Sequence, residues 1–362
     1  MTIPFTLSKF APNTRLKDNL YYIFKTLLRL LYLVNVKEGK TSSIPLLIMT
    51  QKQFKANGKL LLTGEYFVLD GATALALPTQ LGQSMTVTTD PKAQTRRLSW
   101  HCTDTEDNWA QLSYFLPSLF YDESTSKDLK MDLRFNAQLH KIFDTLRILK
   151  PEFLQTTSQI NVETKLDFPW NWGLGSSSTL IYLLSQWAKV NPYNLLDKTF
   201  GGSGYDIACA AASGPILYTK TDTTNQTTPA NFNPTFKDQL YFIHLGKKQN
   251  SREGITRYRE TVKNTPLVIQ EITALTKEFI SAANLKTFEQ AILEHETIIG
   301  LTLGLPRAKS LYFDDYWGEI KSLGAWGGDF VLATSNRPTQ ETQAYFNQKG
   351  FPVCLGYNAL IL

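Results

Sequence analysis

The chain has 362 residues, of which 43% are hydrophobic and 19% charged, and its net charge at pH 7 is +5. This length is sufficient for two domains with cores of their own, and the composition is that of a globular protein rather than a disordered one. Basic and acidic residues are interspersed, which argues against a nucleic-acid partner. The three cysteines lie far apart without metal-ligand spacing, so the sequence predicts neither disulfides nor a zinc site and favours the reducing cytoplasm.

The first 48 residues differ in character from the rest. Their apolar segment, Leu20 to Val36, contains Lys25 and Arg29 and is too short and too charged to span a bilayer. It also lacks the small-residue cleavage site of a secretory signal. A strongly patterned segment begins after Met49. We therefore interpret residues 1–48 as an N-terminal extension, either an amphipathic surface helix or an upstream sequence that is not native, and predict no stable membrane insertion.

Strand patterns dominate the next part of the chain. Phe54 to Gly71 predicts a strand, a turn at Gly64 and a second strand. The second strand is predicted to end at Asp70-Gly71, because an Asp-Gly pair is typical of a tight turn. Gln83 to Thr89 predicts a further strand from its β-branched alternation. Apolar residues at three- and four-residue steps then predict a helix from Leu129 to Leu149.

A strand predicted at Gln159 to Phe168 leads directly into the stretch PWNWGLGSSSTLIYLL, Pro169 to Leu184. A Gly- and Ser-rich turn that opens into a helix leaves backbone N–H groups pointing at one spot, with the positive end of the helix dipole behind them. Such a spot favours an anion, and phosphate in particular. From these residues alone, a serine N-cap on an ordinary helix is the alternative interpretation.

The polar stretch from Lys220 to Pro234 is typical of an exposed connection. It places a domain boundary between 49–225 and 226–362. Beyond it the patterns predict a strand, two amphipathic helices and a Gly-rich strand start, at Leu240 to Leu245, Leu267 to Ala283, Thr287 to Leu303 and Ser322 to Thr334. Strands and helices without strict alternation predict an α+β fold.

Three segments follow one another in the order ANGKLLLTGEYFVLDG, PWNWGLGSSST and SLGAWGGDFVLAT. Together they resemble the motifs of the GHMP kinase superfamily, which includes galactokinase, homoserine kinase, mevalonate kinase and phosphomevalonate kinase. One glycine loop is weak evidence, but three motifs in order are specific, and they span nearly everything after Met49. The resemblance implies a two-domain fold, with a ribosomal protein S5 domain 2-like N-terminal domain and a ferredoxin-like C-terminal domain. It also implies ATP, bound between the domains, and Mg²⁺ as cofactors.

The mevalonate branch of the superfamily fits best. GGSGYDIACAAASGPILY resembles the segment that carries the catalytic aspartate in mevalonate and phosphomevalonate kinases, and the GEY and GGD triplets resemble the latter more. The implied function is ATP-dependent phosphorylation of phosphomevalonate in isoprenoid precursor synthesis, with mevalonate as the alternative acceptor. A non-catalytic nucleotide- or ligand-binding regulator on the same fold is a further alternative. A dinucleotide-binding oxidoreductase is disfavoured because the acid expected about 20 residues after the loop is missing.

The resemblance also assigns roles to residues. Lys59 and Asp206 are expected to meet at the acceptor, where Asp206 accepts a proton or orients the nucleophile and Lys59 lowers its pKa. The ATP phosphates are expected at Gly173, Leu174, Gly175, Ser176, Ser177 and Ser178, with Ser177 on Mg²⁺. The substrate is expected at Glu65, Tyr66, Ser203, Gly204, Gly324, Ala325, Gly327 and Gly328. Taken alone, Asp206 is more commonly explained as a helix N-cap after Ser203-Gly204, and Lys59 as a solvated strand lysine.

The sequence departs from the family pattern at four points. Asn57 replaces a usual proline, and Trp326 replaces a glycine, which predicts a large ring where backbone normally lies close to the substrate or phosphates. The interval from Ser177 to Asp206 is short, and Asp197 is the only acid between them, so the acidic Mg²⁺ ligand is left unassigned. These departures motivate the regulator alternative. The implied partner is a small-molecule substrate, and a homodimer is left open.

Overall fold

The chain is described by a computed structural model over residues 48–125, 129–221, 224–248, 251–262, 266–326 and 328–362. Our interpretation of the first 47 residues therefore lies outside the described residues. Ile48–Leu362 form one compact unit, and its strands build two sheets. None of the helices in the described ranges is both long and apolar enough to cross a membrane.

The first sheet is built by the N-terminal strands. They are β1 Thr50–Leu61, β2 Ala74–Asp90, β3 Arg97–Thr103, β4 Asn108–Phe115, β5 Phe120–Tyr121, β6 Gln159–Leu166, β7 Ile216–Lys220 and β8 Asn225–Pro229. Their order is β5-β4-β3-β6-β2-β7-β8, with β1 paired to β2. All pairs are antiparallel except β3 and β6, which run parallel. Burial alternates along β3 and β6, as expected for a sheet with one face on a core.

Four helices accompany the first sheet: α1 Leu129–Leu149, α2 Ser176–Ala188, α3 Pro192–Thr199 and α4 Tyr205–Ala211. Their apolar side chains pack with those of the sheet in one core, in which Trp100 of β3 meets Phe143 of α1 at 6.0 Å between ring centroids. The predicted helix at 129–149 and the strand before the Ser-rich turn are both confirmed. The chain runs from β6 through that turn into α2, which is the order that an anion site needs.

The second sheet contains β9 Leu240–His244, β10 Ile320–Ser322, β11 Phe330–Thr334 and β12 Cys354–Gly356, in the antiparallel order β10-β11-β9-β12. Every residue of β9 and β11 is buried, so both of their faces are covered. The accompanying helices are α5 Ser251–Thr261, α6 Pro266–Ser281, α7 Leu285–Leu303, α8 Ala308–Tyr312, α9 Thr339–Gln348 and α10 Tyr357–Leu360. Strands and helices are thus mixed without strict alternation, which confirms the predicted α+β class.

The prediction of two strands between Phe54 and Gly71 is wrong in its second half. After β1 the chain turns and forms a short 3-10 helix, Phe67–Asp70. Tyr66 has a φ of 62°, in the left-handed region that an extended strand cannot use. The N–H of Val68 donates to the carbonyl of Gly64 at 2.9 Å and closes the turn.

The interpretation of Lys220 to Pro234 as a connection alone is also wrong, because this stretch contains β8. Its residues pair antiparallel with β7 at the sheet edge, where exposed polar side chains are tolerated and conceal the strand from a hydrophobicity pattern. In the sequence, the strands of the first sheet end at Pro229 and those of the second sheet begin at Leu240. The domain boundary itself stays a prediction.

Candidate active site

A cleft of about 660 Å³ collects most of the residues that the family resemblance implied. Those that line it are Lys59, Tyr66, Gly173, Gly175, Ser176, Ser177, Ser178, Ser203, Asp206, Gly324 and Ala325. In the sequence these residues are spread from Lys59 to Ala325. The fold therefore brings the predicted site together from distant segments.

The Ser-rich turn ends in an open helix N-terminus. The N-cap of α2 is Gly175, in the left-handed conformation with a φ of 97°, and no side chain caps the helix. The serine N-cap interpretation is therefore wrong: the Ser178 hydroxyl donates to the carbonyl of Gly175 at 2.9 Å instead. The side chain of Ser177 is exposed at the cleft. An uncapped helix end beside exposed hydroxyls is suited to a phosphate group.

Two glycines of the turn permit close packing at this point. A Cβ at Gly173 would lie 2.1–2.5 Å from the carboxylate atoms of Asp329. A Cβ at Gly175 would lie 2.9 Å from the Ser178 hydroxyl and 3.0 Å from Cγ of Lys59. Any other residue at either position would displace the charged side chains of the site.

Lys59 lies near the end of β1 and is fixed to the turn. Its backbone N–H donates to the carbonyl of Leu174 at 2.9 Å, and its Nζ donates to the carbonyl of Gly173 at 3.0 Å. Burial lowers the pKa of Lys59, but Tyr205, Asp329 and Asp206 raise it more, so the pKa lies above its ordinary value. The Lys59 side chain is therefore positively charged and fixed by the Ser-rich turn, and it is not the solvated strand lysine of the alternative interpretation.

Asp206 lies in the first turn of α4, whose N-cap is Gly204. The carboxylate accepts from the N–H of Ile207 at 3.0 Å. Burial raises the pKa of Asp206, and the opposing effects of Lys59, the Ile207 N–H and the Ser178 hydroxyl do not cancel the increase. The N-cap interpretation of Asp206 is therefore wrong. A carboxylate of raised basicity beside an ammonium group is suited to accept a proton from an acceptor hydroxyl.

Four further residues line the cleft although the sequence analysis assigned them no role: Trp170, Tyr205, Lys248 and Asp329. Nζ of Lys248 lies 4.5 Å from the ring centroid of Trp170, and burial lowers its pKa. Nζ of Lys59 lies 5.8 Å from the ring centroid of Tyr205, and burial raises the pKa of Tyr205 to about 12. Three of the four lie inside the segments quoted for the resemblance, which was the signal available.

Other predicted residues do not line the cleft. The side chain of Leu174 is fully buried in the core, and that of Glu65 is fully buried in an ion pair with Lys321. Gly204 and Gly328 lie outside the lining. Gly327 lies outside the described residues, and its assignment stays a prediction.

The expected intrusion of Trp326 into the site is not found. Its side chain is 4% exposed and packs in an apolar cluster with Tyr66, Phe67, Tyr258 and Ile299, and it does not line the cleft. Its backbone has a φ of 38°, and its ring packs against Gly300 of α7, where a Cβ would lie 3.5 Å from it. Trp326 therefore supports the cleft wall from behind.

The residues present fit the phosphates of ATP better than they define a metal site. The open helix end and Lys59 provide donors and positive charge for phosphate oxygens. Within the described ranges, no group of three or more His, Cys, Asp or Glu residues is arranged to hold a metal ion. Asp197 is exposed and lies outside the cleft lining. The carboxylates that line the cleft are those of Asp206 and Asp329.

No protein-family model matches the sequence, and no curated protein matches it. Solved structures do match. A mevalonate kinase from Methanococcus jannaschii is 16% identical, covers 85% of this chain and 98% of its own, and has a TM-score of 0.62. Streptococcus pneumoniae phosphomevalonate kinase, in complex with phosphomevalonate and AMPPNP, is 17% identical, covers 84% and 99%, and has a TM-score of 0.59.

A more distant example extends the likeness beyond the mevalonate enzymes. Lactococcus lactis galactokinase, complexed with galactose, is 12% identical, covers 91% of this chain and 97% of its own, and has a TM-score of 0.53. Identities this low establish the fold and not the substrate. The chain therefore has the same fold as these three kinases, which is the fold that the three sequence motifs implied.

Proposed function

We propose that the protein is an ATP-dependent kinase of the GHMP type that phosphorylates phosphomevalonate. The observation that carries the proposal is the meeting of Lys59, Asp206 and the uncapped N-terminus of α2 in one cleft. The fold shared with mevalonate and phosphomevalonate kinases supports the reaction class.

Phosphoryl transfer depends on positioning and on neutralising charge more than on covalent catalysis. In this site the free N–H groups at the start of α2 would bind phosphate oxygens, and the Lys59 ammonium would stabilise the charge that develops during transfer. Asp206 would accept the proton of an acceptor hydroxyl or align an acceptor that is already ionised. Mg²⁺, when bound with ATP, would neutralise phosphate charge, with the exposed Ser177 hydroxyl as its proposed protein ligand.

Charge at the cleft supports a phosphorylated acceptor. Among the described residues that line it, the cations Lys59, Arg134 and Lys248 outnumber the carboxylates Asp206 and Asp329. The GEY and GGD triplets favour the same acceptor. Mevalonate is the alternative, because its neutral hydroxyl would use Asp206 as a base.

The regulator alternative rested on two features. Trp326 was expected to alter the pocket, whereas its ring is buried outside the cleft. The short interval from Ser177 to Asp206 still brings both residues to the same cleft. We therefore propose turnover rather than binding alone. We also propose a small-molecule substrate, no nucleic-acid partner and a cytoplasmic location, which three buried cysteines outside any disulfide fit. A homodimer stays an untested expectation.

The test is transfer from ATP to mevalonate and to phosphomevalonate, followed by phosphorus NMR, with wild type, Asp206→Asn and Asp197→Asn. For a hydroxyl acceptor, Asp206→Asn removes a positioned base and should lower kcat by about 10²–10⁴-fold. For the ionised phosphate acceptor the loss should be smaller, and KM should stay level or fall because a negative charge is removed. Asp197→Asn, exposed and outside the cleft, should match wild type. Wild type that transfers phosphate to neither acceptor would overturn the proposal.

A further inference from the structure

A second lysine–carboxylate cluster lies beside the cleft but has no access to it. Glu65, His295, Glu296 and Lys321 are each 0% exposed. Nζ of Lys321 forms an ion pair with Oε1 of Glu65 and lies 3.9 Å from Oε1 of Glu296. Nε2 of His295 lies 3.3 Å from Oε2 of Glu65. We call these four residues the sealed cluster.

The sealed cluster joins two walls of the cleft. Glu65 directly precedes Tyr66, which lines the cleft, and the N–H of Gly64 donates to Nε2 of His295 at 3.2 Å. On the other side, Ser322 donates to Glu296 from its N–H at 3.0 Å and from its hydroxyl at 3.2 Å.

The bonds between Glu296 and Ser322 lie next to the Gly324–Ala325 wall of the cleft. Lys321 and Ser322 end strand β10, and the chain continues from there to Gly324 and Ala325, which line the cleft. Both His295 and Glu296 lie on α7. One helix therefore holds the Tyr66 wall and the Gly324–Ala325 wall through directional bonds.

Stability alone does not account for this arrangement. A buried ion pair is often no more stabilising than apolar side chains of the same volume, because both charges lose their hydration. What such a pair provides is geometry, since hydrogen bonds to ionised groups fix distance and direction. The site contains a feature that needs this constraint: Tyr66 holds a φ of 62°, and a non-glycine residue keeps such a conformation only where its surroundings determine it.

Apolar packing joins the same two walls independently. Trp326, which follows Ala325, packs in one cluster with Tyr66, and the ring of Tyr66 stacks on Tyr258 at 5.7 Å. The polar and apolar contacts thus act on the same corner from two sides. We propose that Glu65, Lys321 and Glu296 are positioning residues, which brace Tyr66 against the Gly324–Ala325 wall and so set the width of the cleft.

This inference rests on the proposed function only for its kinetic consequence. Glu65 acts through Tyr66 and has no contact with the cleft of its own. The role differs from the substrate contact that the resemblance implied for Glu65. It predicts that removing the brace changes the alignment of bound reactants more than their binding.

The variant that tests the brace is the double replacement Glu65→Gln with Lys321→Met, which removes both charges together and keeps the side-chain volumes. The fold should persist, because no unpaired charge of this pair is left buried. We expect kcat to fall by about 10- to 100-fold, the loss that a misplacement near 1 Å can cause, with KM for ATP within about threefold of wild type. The matched control is Asp315→Asn with Lys349→Met, an exposed pair at 2.9 Å.

Hydrogen exchange supplies a measurement that does not depend on turnover. In the double variant, the peptides containing the N–H groups of Gly64 and Ser322 should exchange faster than in wild type, and the control should not change them. Equal exchange rates would overturn the brace, and so would faster exchange with kcat within twofold of wild type. A wild type without transfer to either acceptor would overturn the proposed function instead, and the exchange rates would still decide on the brace.

Discussion

The protein contains two clusters of a lysine with carboxylates, and they differ in their access to the cleft. Lys59, with Asp206 and Asp329 near it, lines the cleft, whereas Lys321, with Glu65 and Glu296, is fully enclosed. The residue types are nearly the same in both. The comparison shows that exposure to a ligand, rather than composition, separates a cluster suited to chemistry from one suited to architecture.

The protonation of the two clusters differs accordingly. Around Lys59, neighbouring groups outweigh burial and raise the pKa of the ammonium, so its charge is kept for the site. In the sealed cluster, burial dominates and raises the pKa of Glu296 to about 8, despite the opposing effect of Lys321. One carboxyl of the sealed cluster is therefore mostly protonated near neutral pH, which limits the net charge that the interior must carry.

The largest expected effect is the loss of stability on replacing Lys321 in the sealed cluster. Lys321→Met leaves Glu65 buried without its counter-ion, and we expect the free energy of unfolding to fall by about 3–5 kcal/mol. Urea denaturation measures this loss. Lys349→Met, which removes an exposed lysine–aspartate pair, should cost less than about 1 kcal/mol. A Lys321→Met protein as stable as the control would show that the sealed cluster is not a coupled unit.

The open cluster should respond in activity rather than stability. Lys59→Met removes the ammonium from the cleft, and we expect kcat for phosphoryl transfer to fall by about 10²–10³-fold. The unfolding midpoint should fall less than in Lys321→Met, because Lys59 and Asp206 are only partly buried at the cleft. Lys55→Met, four residues earlier on the same strand and exposed, serves as the control. A large loss of stability with unchanged kcat would reverse the roles of the two clusters.

A replacement of Ser177 tests the phosphate-binding part of the cleft beside Lys59. Ser177→Ala should reduce the use of Mg·ATP by one to three orders of magnitude, which corresponds to about 1.4–4 kcal/mol. Its side chain is exposed at the cleft, so thermal unfolding should be unchanged. Steady-state kinetics at varied Mg·ATP measure the effect. Turnover equal to wild type would remove this serine from the site.

The smallest effect concerns pH and the sealed cluster. Burial and the nearby Glu65 raise the pKa of Glu296, and together they outweigh Lys321, Arg307 and the N–H of Ser322, which lower it. Between the ordinary value of 4.5 and about 8, the folded protein therefore holds a proton on Glu296 that the unfolded chain has lost, so this group's contribution to stability falls as pH rises. Glu296→Gln mimics the protonated form and cannot titrate. Denaturation at pH 5 and pH 8 should show wild type losing stability relative to Glu296→Gln, and a constant difference would contradict the prediction.

The sequence predicts the open site better than the sealed one for a physical reason. The turn before α2, Lys59 and Asp206 each lie in a short motif whose local conformation follows from glycine and helix-terminus chemistry. The partner of Glu65, by contrast, is Lys321, 256 residues away, and no local pattern reveals that pairing. The resemblance implies a substrate contact for Glu65, whereas its side chain is fully buried in the ion pair with Lys321.

The same limit explains the misassigned elements. β8 is a polar strand that forms by pairing with the edge strand β7. The second strand predicted before Gly71 is absent because Tyr66 has a positive φ and the chain turns there. Both are tertiary effects that propensity does not contain. Elements with strong internal periodicity, such as α1, were predicted with their observed bounds.

Trp326 shows what a motif of this kind preserves. A comparison by residue type counts a tryptophan in place of glycine as a mismatch, yet the chain keeps the fold, and the ring occupies space on the far side of the loop. At position 326 of this chain, a backbone φ of 38° together with space behind the loop for a large ring is therefore compatible with the fold, and glycine is not required. A tryptophan in place of a motif glycine thus adds apolar support behind the loop without filling the cleft in front of it.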